Sequence, residues 1–189
     1  LGGEAGKLQD WLYPRVALVM DDAKKAAKLR EVNDRIGRKE GSAEDYMTRA
    51  DLDDRNSQRD YDEAIARLQK RGAKGRDALL LARIRLFKAL RYRRDGQTDA
   101  ALTELKEARG IIDFQLPRVR EVLSTEKFRA MMAETSMDRV ARWSREEAEA
   151  FTWLRFLADV TTDRANLLEE IGLNEKAGNE YRFLCETLK

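Results

Sequence analysis

The feature that most constrains this chain is an apolar series in which alanine alternates with larger side chains at helical spacing. Ala101, Leu105, Ala108 and Ile112 stand at i, i+4, i+7 and i+11, and Ala177, Tyr181, Leu184 and Leu188 repeat that spacing near the C-terminus. Ala64 and Leu68 begin the same series. Residues at these offsets share one face of an α-helix. A strand would need period-two alternation, and no segment keeps it long enough to form one. A small residue lets two helix backbones approach, and the larger residue one turn on fills the space between them. The spacing therefore predicts tightly packed helical hairpins and an all-α fold.

The rest of the sequence agrees. Only two prolines, Pro14 and Pro117, interrupt 189 residues rich in good helix formers. Helices are expected over residues 8 to 36, 60 to 72, 77 to 94 and 99 to 112. A further helix is expected to start at Pro117 and run to about residue 133. A short one is expected over "SMDRVARW" (136 to 143), a long one from Ser144 to Ile171, and a last one under Ala177 to Leu188. Ser42 with Asp45 and Ser144 with Glu147 read as N-terminal capping pairs, and Thr98 as an N-cap. Leu18, Ala23, Ala26, Ala27 and Leu29 give the first helix a small-residue face. Residues 1 to 41 are expected to form an N-terminal helical cap, and 42 to 189 a hairpin array, in one compact domain.

The alanines Ala64 and Ala101 stand 37 positions apart, and Ala101 and Ala177 76 positions, twice 38. Periods of this size mark helical solenoids. The hairpins resemble tetratricopeptide repeats, whose pattern is W-x2-L-G-x2-Y, then A-x3-F, then P. One hairpin offers Ala89 and Tyr92, then Ala101-x3-Leu105 with Ala108. Another offers Ala165, Leu168 and Gly172, then Ala177-x3-Tyr181, and "DYDEAI" with Leu68 supplies a partial third. The resemblance covers residues 45 to 189, fits 114 to 145 poorly, and lacks the closing proline and the Trp. It implies a short right-handed solenoid whose first helices line a ligand groove. Arg83, Phe87, Leu90 and Arg94 would then form a basic and apolar wall, and Asp159, Thr162, Asp163, Asn166 and Glu170 an acidic one. Leu86 and Leu90 stand where the family's chaperone-binding members place carboxylate-clamping polar residues, so that clamp is not implied.

Catalytic chemistry finds little to stand on. The chain has no histidine, which removes the commonest general base and the usual zinc ligand. Cys185 is the single cysteine and reads as a half-buried small hydrophobe. "DLDDRNSQRDYDE" (51 to 63) fails as a calcium loop, with Arg55 and Asn56 where an acceptor and a glycine are needed. "RGAKGRD" lacks the spacing of a phosphate-binding loop. The reading is a non-enzyme with no cofactor and no metal.

Charge points to partners. Lys and Arg make up 37 residues and Asp and Glu 35, for a net +2, but residues 67 to 94 hold eleven cations against Asp77 alone. Such a stretch suits phosphate backbones, although its charges are wrapped around the helix rather than gathered in a stripe. The favoured expectation is a scaffold or adaptor that binds a peptide or partner helix. Nucleic-acid binding through residues 67 to 94 is the first alternative. Self-assembly through terminal repeat surfaces such as Tyr181, Leu184 and Leu188 is the second. No run is long and apolar enough for a membrane span. The compartment is unknown: one cysteine fits the cytoplasm best and is compatible with an exported mature domain. The chain begins at Leu1 rather than Met, which leaves room for a removed leader or further repeats.

Overall fold

The computed structural model describes residues 21–133 and 143–188. Among them the regular elements are all helical. The α-helices are α1 (Asp22–Gly37), α2 (Ala43–Leu52), α3 (Ser57–Lys70), α4 (Arg76–Arg94), α5 (Thr98–Val122), α6 (Thr125–Met132), α7 (Arg145–Glu170) and α8 (Asn174–Thr187), with a 3-10 turn at Asp54–Asn56. The chain forms two compact units, one within residues 15–104 and one within 105–189, so the division falls inside α5.

In the first unit, α1, α2, α3 and α4 pack each against the next. Ion pairs set an antiparallel register. Arg49 grips Asp60 with two hydrogen bonds, Nε to Oδ2 at 2.7 Å and Nη2 to Oδ1 at 2.6 Å. At the other end of the same helix pair, Arg67 Nη1 donates to the Gly41 carbonyl at 3.0 Å. Arg35 joins α1 to Asp45 of α2, and Lys88 joins α4 to Asp62 of α3 at 2.6 Å. Between these links lies a core of Val32, Met47, Ile65, Leu68, Leu81 and Ile84.

The second unit is built around α7, which buries Phe151, Trp153, Leu154, Phe156, Leu157 and Val160. Phe128 of α6 and Trp143 both rest on Phe151, with ring centroids 5.4 and 5.1 Å apart. A turn at Gly172 folds α8 back onto α7. Arg109 of α5 ties the unit together. It donates to Thr161 at 3.1 Å, lies 3.5 Å from Glu180, and covers the Phe183 ring at 3.9 Å.

The alanines of the repeated series are fully buried at Ala64, Ala101, Ala108 and Ala177. Both expected capping boxes are present, with Asp45 N donating to Ser42 Oγ and Glu147 N to Ser144 Oγ, each at 3.1 Å. Gly96 and Gly172 end α4 and α7 in the left-handed region, at φ 73° and 79°. In both turns the next residue donates back five positions, Gln97 to Tyr92 and Leu173 to Leu168, which closes the helix end.

Several expectations are corrected. The first helix does not run unbroken from residue 8. Asp21 is extended and caps α1 by accepting from the Lys24 N–H at 2.8 Å. Ala23, Ala26 and Ala27 are exposed, and Val32 is the residue α1 buries. Pro117 does not start a helix but lies inside α5, and α6 is separate. Thr98 is the first residue of α5, not the residue before it. Cys185 is exposed. The start of the expected 8-to-36 helix and most of "SMDRVARW" lie outside the described residues.

Candidate interaction surface

The residues singled out from sequence fall on one helix in each unit. On α4, Arg83, Phe87, Leu90 and Arg94 stand at i, i+4, i+7 and i+11, so they share one face. The first three are half-buried and Arg94 is exposed. The Arg83 guanidinium lies 5.3 Å from the centre of the Phe87 ring, in cation–π range. Arg94 reaches Asp54 at 3.5 Å and Asp95 at 3.7 Å. Elsewhere on α4, Leu79, Leu80, Ile84, Leu86 and Ala89 are buried, and Arg85, Arg91, Tyr92 and Arg93 are half-buried.

On α7, Asp159, Asp163, Asn166 and Glu170 repeat the same offsets, with Thr162 beside them. Asp159, Thr162 and Glu170 are exposed, and Asp163 and Asn166 are half-buried. Asn166 has a structural task, accepting from the Tyr181 hydroxyl at 2.6 Å across the α7–α8 hairpin. The α7 stripe lies on the first helix of the α7–α8 hairpin, and the α4 stripe on the helix that precedes α5 in the chain.

The basic stretch has a different fate from the one its composition suggests. Five of its eleven cations, Arg67, Arg85, Lys88, Arg91 and Arg94, are paired inside the first unit. Lys88 sits between Asp62 and Glu104 at 2.6 and 2.7 Å, and Arg85 also reaches Glu104 at 2.7 Å. Burial works against the Lys88 ammonium, but the hydrogen bonds it donates to Asp62 and Glu104 outweigh it and hold its pKa above the ordinary lysine value. Arg91 pairs with Asp54 and Asp95. The hydrogen bond from Arg91 keeps the Asp54 carboxyl below the usual range. Arg67 pairs with Glu63 and covers the Tyr46 ring at 4.7 Å. The acidic segment 51 to 63, which fails as a calcium loop, is a main source of these counter-charges. Nothing local in the sequence joins the two segments. Their antiparallel approach across α3 and α4 pairs them.

Among the described residues, no group of three or more His, Cys, Asp or Glu is placed to hold a metal ion, and no helix is long and apolar enough to cross a membrane. Exposed large apolar side chains include Phe114 on α5, Met132 at the end of α6, and Ile171 and Leu173 in the α7–α8 turn. The fold defines an all-helical protein of packed neighbouring helices. Comparison with protein-family models, with curated proteins and with solved structures returns no match.

Proposed function

We propose that the protein is a non-catalytic interaction scaffold of tetratricopeptide-like hairpins that holds a peptide or partner helix. One observation carries this reading. Two long helices, α4 and α7, each leave a stripe at i, i+4, i+7 and i+11 incompletely covered, while most of their apolar side chains are buried. The α4 stripe has Phe87 and Leu90 at its centre and an arginine at each end. Its centre suits a segment with an apolar anchor. The α7 stripe, polar and acidic, suits basic or amide-bearing residues. Charge sets orientation and rate of encounter, and the apolar anchors supply most of the affinity.

Site-specific photo-cross-linking tests the reading. A cross-linker replacing Leu90 or Thr162 should yield a discrete adduct with a partner protein, lost on Phe87→Asp in the α4 case. The same group at the exposed Lys106 should yield none. Equal adducts at all three positions, or none at either stripe, would overturn the proposal.

A further inference from the structure

The antiparallel packing of the first unit places two basic loops side by side. The α1–α2 loop carries Arg38 and Lys39, Lys70 ends α3, and the α3–α4 loop carries Arg71 and Lys74. Arg67, in the last turn of α3, donates to the carbonyl of Gly41 and so fixes the two loops at the same end of the unit. All five cations are exposed, and none has an ion-pair partner among the described residues. This separates them from Arg85, Lys88, Arg91 and Arg94, whose charges are met inside the unit. Glu40 is the one acid within the two loops, and Asp77 follows in the first turn of α4.

We infer that this loop pair binds the phosphate backbone of double-stranded nucleic acid. Five unpaired cations on one end face form an electrostatic footprint for regularly spaced anions. The loops contain no aromatic residue on which an unpaired base would stack, so the surface suits a duplex backbone rather than a single strand. They also contain no large apolar residue that would insert into a bilayer, which disfavours a lipid surface. Binding would be independent of base sequence, because phosphate contacts position a protein without reading bases. The inference does not rest on the peptide-binding stripes, which lie elsewhere on α4 and α7.

Fluorescence anisotropy with a labelled duplex of about 20 base pairs tests it, using the full chain. With roughly four phosphates neutralised, affinity should fall about 100-fold between roughly 50 and 200 mM salt. Reversal of the five cations (Arg38→Glu, Lys39→Glu, Lys70→Glu, Arg71→Glu and Lys74→Glu together) should abolish binding. The control reversal of Lys106→Glu with Arg118→Glu on α5 should retain it. A glutamine version of the same five positions repeats the test should the reversed chain lose helicity by circular dichroism. No binding at about 50 mM salt, or binding that survives the five substitutions, would overturn the inference. So would tighter, reversal-sensitive binding to phosphatidylserine vesicles than to the duplex, which would assign the surface to membranes.

Discussion

The pairing of Arg49 with Asp60 illustrates what a single contact does in this chain. The Asp60 side chain is 1% exposed and that of Arg49 22%, so the two partners are not equivalent. Removing the arginine strands a carboxylate where water cannot reach it, at a cost of about 3–5 kcal/mol. Removing the aspartate leaves a guanidinium that can turn to solvent, and the loss is closer to ~1–2 kcal/mol. Urea unfolding should therefore rank Arg49→Ala as clearly less stable than Asp60→Ala. Equal values would mean that water reaches Asp60. None of this was legible in the sequence. "DYDEAI" suggests a helix with Ala64 facing inward, but Asp60 looks like one more surface acid until α2 and α3 are set antiparallel. Local pairs were easier. Ser42 with Asp45 and Ser144 with Glu147 lie three residues apart, and their bonds need no tertiary partner.

At the scale of the helix, the small–large series reads correctly because it depends only on the helical repeat. Ala101 is fully buried, so Ala101→Leu must displace neighbours. It should destabilise by about 1–3 kcal/mol, measured as a lower denaturation midpoint at an unchanged slope. A neutral result would show that the helix faces a space the leucine can fill. Pro117 shows where helix-level reading fails. Proline lacks the N–H that would bond to the Asp113 carbonyl, and its ring crowds that carbonyl, so a helix start is the ordinary inference. Burial overrides it. Leu105 and Ile112 are followed at the same seven-residue interval by Val119, with Leu123 a turn beyond, and all four are buried. The apolar stripe continues in phase through the proline, and α5 runs with it for 25 residues. Pro117 itself is exposed. Pro117→Ala should then restore the missing hydrogen bond and raise the melting temperature, with a gain on the order of 1–3 kcal/mol. A fall in melting temperature would show that the proline's bend is needed by the packing around it.

Across the whole molecule, burial is distributed unevenly, and so must be stability. Helix α7 buries thirteen residues, whereas α1 buries Val32 alone. The sequence shows α1 only as a helix with a small-residue face. It could not show that this face stays in water, because coverage depends on what packs against it. The α1 helix is held largely by polar links, chiefly Arg35 to Asp45, with Arg49 to Asn33 at 3.4 Å. Burial alone would raise the Asp45 pKa, but the Ser42 N–H and Arg35 outweigh it, so the folded carboxyl titrates below its ordinary 3.8. A group whose folded pKa is depressed contributes stability that is present in full above the unfolded value. That contribution is lost as pH falls from about 3.8 through the lower folded value. Hydrogen exchange read by mass spectrometry, corrected for the intrinsic rate at each pH, should show low protection over Asp22–Gly37 and high protection over α7 at neutral pH. Below about pH 4, protection of α1 should fall before that of α7. In Asp45→Asn, protection of α1 at neutral pH should already be lower than in the unaltered chain, with little further change on acidification. If α1 and α7 instead lose protection together at every pH, the helices open as one cooperative body and the ion pair is not what holds α1 in place.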